Sequence, residues 1–252
     1  MCAAGRSTRF YVCTLKGNVF RGVIFFWSVI FVERNNRTKR LVIIAMMSAM
    51  AFVLVATVRI PIVLFLKYEP KDVIITIGGF MMGPMAAAAM SLVVSFVEMF
   101  TISDTGIIGC VMNILSTCTF ACPAAILYKR NKTIRRAIAG LALGVVLMTA
   151  TMLLWNYLIT PLYMTGTTRE MIAGMLVPVF LPFNLLKAGL NMALTILLYK
   201  PIITTLRKAD LLPPSQSSGD GQKRKMSGSV VLFGVLLLAT CVLLVLVYTG
   251  KI

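Results

Sequence analysis

The sequence predicts an all-α integral membrane protein, a bundle of six spanning helices with one extra transmembrane helix near the C-terminus. Three observations carry this. Of 252 residues, 59% are apolar and only 13% are charged, where a soluble domain is about a quarter charged. Apolar runs of roughly 20 residues, the length that crosses a bilayer core at 1.5 Å per residue, recur along the chain. The Lys and Arg residues gather in clusters between those runs. The same composition narrows the chemistry. There is no histidine, which removes His acid/base catalysis, His-type zinc sites and haem ligation by His. With 8 acidic residues against 25 basic ones, a carboxylate-rich metal site is not expected either.

The first run is Leu41 to Ile60, closed by Arg59 and Pro61. The second, Val73 to Phe100, is interrupted by Gly83-Pro84. At about 28 residues it is too long for one straight span and short for two. Pro is well suited to a first helical turn, so the run reads as a short tilted helix followed by a second one starting at Pro84. Ile107 to Tyr128 and Ala137 to Ile159 follow. Met171 to Ile203 contains Pro178 and Pro182, with Pro182 placed in the first turn of its spanning helix. Val230 to Tyr248 comes last, behind a polar linker.

Orientation follows from the basic residues of the short loops. Arg34, Arg37, Lys39 and Arg40 precede the first span; Lys129, Arg130, Lys132, Arg135 and Arg136 separate two later ones; Arg207, Lys208, Lys223, Arg224 and Lys225 follow the sixth. All three clusters fall on one side only if Val73 to Phe100 is two helices. That side is then cytoplasmic, as is the N-terminus, and the extra helix puts the C-terminus outside. The opposite loops hold Lys67, Glu69, Lys71 and Asp72, then Asp104, then Arg169 and Glu170, a balanced set. The net charge of +17 is thus a topology signal with attraction to anionic lipid, not a nucleic-acid surface. The expected localisation is a bacterial plasma membrane, crossed many times.

The two ends differ in kind. Residues 1–37 read as a basic extension, poorly ordered or interfacial. Its apolar stretch Gly22 to Val32 is too short to span, and Glu33-Arg34-Asn35-Asn36 offers no small-residue cleavage site. Residues 38–208 form the six-helix domain, 209–229 a Pro/Ser/Gly-rich flexible linker, and 230–249 the additional helix. The six cysteines lack CxxC spacing and read as packing residues.

Polar groups inside spans are costly unless paired or facing a cavity. Lys187 is the only charge between Leu181 and Leu198, and Asn184, Lys187 and Asn191 share one helical stripe. Glu98, Asn113 and Asn156 are expected at a similar depth on three other helices. Together they describe a polar pocket open to the outside, with the 64–72 loop as a cover. Two blander readings stand beside this one: a bundle-stabilising cluster with Glu98 as counter-ion to Lys187, and an interfacial aromatic belt around Trp155, Asn156 and Tyr157. On the first helix, Ala45 and Ala49 stand one turn apart beside Ser48, small enough to let another helix approach closely. No G-x-x-x-x-G-K-[ST], G-x-S-x-G or H-E-x-x-H occurs, so no P-loop, hydrolase or metalloprotease site is expected, and no catalytic or metal-binding residue is assigned.

Four segments in order, LKYEPKDVIITIGGFMMGP (66–84), EMFTISDTGIIGCVMNILST (98–117), LLWNYLITPLYM (153–164) and LPFNLLKAGLNMALTILLYKP (181–201), resemble the riboflavin-specific S components of energy-coupling factor (ECF) vitamin transporters. The similarity spans Thr38 to Lys208. It implies a six-helix protein that binds the vitamin from outside and works with a transmembrane T component and two ATPases, so that ATP is bound by partner subunits and not by this chain. It implies substrate contacts at Asn184 and Lys187, and at Asn113 and Asn156 with weaker support, and partner docking through Ala45 and Ala49. Tyr68, Trp155 and Phe183 are then candidate stacking partners for the flavin ring. Residues 1–37 and 209–252 depart from the family pattern. The alternatives are an S component for another vitamin or precursor, a scaffold, and a membrane transferase, for which Glu98 and Asp104 are the nearest carboxylates but face outward.

Overall fold

Lipid offers the backbone no hydrogen bonds, so a spanning chain satisfies its own N–H and C=O groups by forming helix. The computed structural model describes residues 18–63, 66–103, 105–130, 133–163, 168–208 and 228–248. It divides into two units, Met1–Lys39 and Arg40–Ile252. The helices are α1 (Asn18–Thr57), α2 (Lys71–Met82), α3 (Pro84–Thr101), α4 (Gly106–Arg130), α5 (Ile134–Tyr163), α6 (Arg169–Met175), α7 (Leu181–Lys208) and α8 (Gly228–Tyr248). Among the described residues, five helical stretches are long and apolar enough to cross a membrane: Thr38–Thr57, Pro84–Thr101, Gly106–Arg130, Ile134–Leu162 and Arg169–Tyr199. Residues 18–37 of the basic extension are helical as the first part of α1. Residues 1–17, with Cys2 and Cys13, and most of the 209–229 linker lie outside the described residues.

α1 ends at Thr57, short of the Ile60 that closes its apolar run. The chain then turns back as two short antiparallel strands, β1 (Ile60–Val63) and β2 (Leu66–Tyr68), with Ile60 opposite Tyr68. A hairpin therefore stands where the sequence predicts a loop. α2 starts at Lys71, directly behind Pro70, and its twelve residues reach about 18 Å, well short of a bilayer core of roughly 30 Å. The break after it falls at Gly83-Pro84 as the sequence places it. Gly83 adopts φ 96°, a conformation that favours glycine, and Pro84 opens α3. The guanidinium of Arg40 donates to the Met82 carbonyl at 3.0 Å, capping the last turn of α2.

The sixth span begins earlier than its prolines suggest. Thr168 caps α6 by accepting from the Met171 N–H. One π-helical turn, Leu176–Phe180, then carries the chain into α7. Pro178 and Pro182 each lack a donor, and the wider turn absorbs the missing bonds.

α4 and α5 are the most extensively packed pair. A Cβ added at Gly144 would lie 2.5 Å from the Phe120 carbonyl oxygen, and one at Gly140 would lie 2.9 Å from the Ala124 Cα. This Gly-x-x-x-Gly pair lets two backbones touch. α8 lies on α7, where Gly189 admits the Cys241 thiol and Gly234 admits Leu197. On the outside of α1, Ala45 and Ala49 are exposed in one i, i+4 row with Leu41 and Val53, while Ile43, Met47 and Ala51 face the core.

Candidate functional site

A cavity opens between the hairpin and α4, α5 and α7. Its walls are Arg59, Lys67 and Glu69 at the hairpin, Ser103 and Thr105 before α4, Met112, Asn113 and Ser116 on α4, Met152 and Asn156 on α5, and Phe183, Asn184 and Lys187 on α7. It holds about 140 Å³, room for roughly five waters at about 30 Å³ each. Exposed Lys67 and Thr105 mark its mouth.

Five of the residues singled out from the sequence meet in this cavity: Asn113, Asn156, Phe183, Asn184 and Lys187. Their hydrogen bonds show which atoms are left over. Asn184 donates its Nδ2 to the Phe180 carbonyl at 2.8 Å, and its Oδ1 has no partner among the described residues. Asn113 donates its Nδ2 to Glu98 Oε2 at 3.0 Å, again leaving Oδ1 unused. Asn156 differs: its Nδ2 donates to the Met152 carbonyl, and its Oδ1 accepts from Thr160. Its amide is therefore satisfied within α5. The Lys187 side chain is 8% exposed and makes no hydrogen bond or ion pair among the described residues. Ser116 adds a buried hydroxyl without a partner among the described residues. Two amide oxygens and one ammonium thus remain available, beside Phe183, Met112 and Met152.

The other candidates lie outside the cavity wall. Tyr68 donates to Asn191 Oδ1 at 3.0 Å, and Asn191 Nδ2 donates to Asp72 Oδ2 at 3.0 Å. Thr117 completes that cluster by donating to Asp72 Oδ1 at 2.6 Å. Burial, and then the Asp72 charge, push the Tyr68 phenol well above its ordinary range. Trp155 packs into the core formed by α4, α5 and α7, its Nε1 buried without a partner among the described residues. Glu98 is not the counter-ion of Lys187. Its Oε2 accepts from Lys71 as well as from Asn113.

Lys71 and Asp72 are the residues the sequence hides. Beside Pro70 and Glu69 they look like balanced charges of an outer loop. In the fold they form the first turn of α2, with Lys71 1% exposed and Asp72 fully buried. The Lys71 ammonium lies 3.0 Å from Glu69 and also pairs with Glu98, and Arg59 lies 2.9 Å from Glu69. Buried charges persist where they are paired and hydrogen-bonded. Arg59 also donates to the Ile102 carbonyl at 3.0 Å, tying the entry of the hairpin to the end of α3. Burial alone would raise the Glu69 carboxyl, but Lys71, Lys187 and Arg59 together hold it below the usual range. The usable sequence signal was the alternation of sign in Glu69-x-Lys71-Asp72 at the start of an apolar run. Asp104 lies outside the described residues, and among those described no group of His, Cys, Asp or Glu could hold a metal ion.

The chain is similar to known proteins in sequence and in fold. Residues 39–199 match the family described as the ECF transporter substrate-specific component. The riboflavin transporter RibU of Staphylococcus aureus (strain TCH60) is 29% identical, over 69% of this chain and 95% of that protein. RibU of Streptococcus thermophilus is 27% identical over 81% and 99%, and the riboflavin transporter FmnP of Bacillus subtilis (strain 168) is 29% identical over 60% and 85%. A solved S component of a bacterial ECF transporter superposes with a TM-score of 0.56 at 29% identity, covering 68% of this chain and 99% of that one. The match covers well over half of the chain, which is therefore a member of the ECF transporter substrate-specific component family, a membrane transport subunit and not an enzyme.

Proposed function

We propose that this chain is the riboflavin-binding subunit of an ECF-type ABC transporter in a bacterial plasma membrane. The observation that carries the reading is the cavity's unused polar set: Asn113 Oδ1 and Asn184 Oδ1 as acceptors, the Lys187 ammonium as donor. The flavin ring carries an imide N–H flanked by two carbonyls, which calls for such a mixture. Its apolar faces suit the Phe183, Met112 and Met152 walls, since ligand sites combine apolar surface with a few placed polar groups. The naming of three relatives as riboflavin transporters supports the same choice. An S component for a different vitamin is the alternative.

In this reading residues 38–208 are the binding domain. Riboflavin enters from outside, and the 61–72 segment, including the hairpin, closes over it. The exposed Ala45/Ala49 row docks a transmembrane T component, which is energised by two ATPase subunits. The N-terminus is cytoplasmic, residues 209–229 are a flexible linker, and α8 is an addition to the binding domain. The test is to purify the protein from cells grown in rich medium and identify what it carries. A flavin absorbance spectrum and the mass of riboflavin are expected; another vitamin would transfer the proposal to that substrate.

A further inference from the structure

The Lys71–Glu98 pair stands outside the cavity wall, yet it touches a residue of that wall. Lys71 donates to Glu98 Oε2, and Asn113 donates to the same oxygen at 3.0 Å. An ammonium can only donate, and an ionised carboxylate can only accept. Asn113 must therefore turn its NH2 group toward Glu98, which leaves its carbonyl oxygen for the cavity. A free amide has two orientations of similar shape and opposite hydrogen-bonding sense, and only one of them offers an acceptor to a ligand.

We infer that the Lys71–Glu98 ion pair is a positioning pair for ligand recognition: it fixes the Asn113 amide with Oδ1 toward the cavity and so sets that point to receive an N–H of the ligand. The inference rests on the riboflavin reading for its ligand, whose ring imide supplies such an N–H. The pair is itself well anchored. Lys71 and Glu98 are each 1% exposed, and a second carboxylate, Glu69, holds Lys71 at 3.0 Å. Nothing in the immediate surroundings of Asn113 other than Glu98 hydrogen-bonds its amide among the described residues, so the orientation depends on this one acceptor. Fixing it before the ligand arrives removes an ordering cost from binding.

The test is a double-mutant cycle on the purified full chain, read by quenching of riboflavin fluorescence. Glu98→Met removes the acceptor and should weaken riboflavin binding about tenfold, but less than about twofold when Asn113→Ala is already present, because the effect passes through Asn113. Glu98→Gln keeps a carbonyl that can accept from Asn113 and should stay within about threefold of the unaltered chain. Thermal unfolding in parallel identifies any variant that does not fold, and in that event Lys71→Met/Glu98→Met, which removes both buried charges of the pair, replaces Glu98→Met. Equal losses in both backgrounds, or no loss in either, would overturn the positioning role while leaving riboflavin binding in place. Failure of the unaltered chain to bind riboflavin would overturn the substrate reading and this inference together.

Discussion

Lys187 shows how far a single residue can be read. A charge in an apolar run is expensive, and that expense made it visible before any fold was known. Among the described residues its ammonium has no hydrogen-bond or ion-pair partner, and the Asn184 oxygen beside it has none either. Lys187→Ala should weaken riboflavin binding by more than about tenfold, the loss expected for a hydrogen bond to a charged group; a fluorescence-quenching titration measures it. N3-methylation of the flavin removes the N–H that the Asn oxygens would accept, and should weaken binding to a similar degree in the same assay. Lys71 and Asp72 were not legible in this way. Next to Pro70 they resemble loop residues, and only the fold turns them inward. Glu69 offers a pH test of that buried cluster. Its carboxyl is held below the ordinary value of 4.5, so its contribution to stability is complete above that value and is lost as the pH falls below it. Thermal unfolding between pH 7 and pH 3 should therefore show an acid-side loss of stability that Glu69→Gln reduces.

At the scale of elements, the Gly83-Pro84 break was legible because both residues carry strong backbone rules. The hairpin was not, since a strand as short as Leu66–Tyr68 leaves almost no period to detect. The start of the sixth span was obscured by Pro178 and Pro182, which look like stops until a π-helical turn absorbs them. Gly140 and Gly144 matter for the contact they permit. A methyl group at Gly144 would sit 2.5 Å from the Phe120 carbonyl oxygen, a backbone atom that cannot swing aside. Gly144→Ala should therefore destabilise the fold by about 1–3 kcal/mol, as overpacking does, and lower the unfolding temperature in detergent. Gly174, with nothing within 4 Å of its added Cβ, is the control: Gly174→Ala should leave that temperature unchanged or slightly raised.

For the whole molecule, the structure breaks the second run at Gly83-Pro84, where the sequence places the break. The cavity could be anticipated only as a depth shared by several helices; which amide atoms stay free depends on partners such as Phe180 and Glu98 that no spacing reveals. On the proposed docking role, the exposed Ala45/Ala49 row would serve transport and not binding. Ala45→Leu or Ala49→Leu should abolish riboflavin uptake by cells while leaving binding by the purified chain intact; loss of both would point to misfolding. Recognition of riboflavin is measured by titrating the purified, flavin-free chain with the vitamin. Saturable quenching at one riboflavin per chain, lost in Lys187→Ala, is the predicted result. A chain that leaves riboflavin fluorescence unchanged would not be a riboflavin-binding subunit, and a Lys187→Ala variant that binds it as well as the unaltered protein would remove Lys187 from the site.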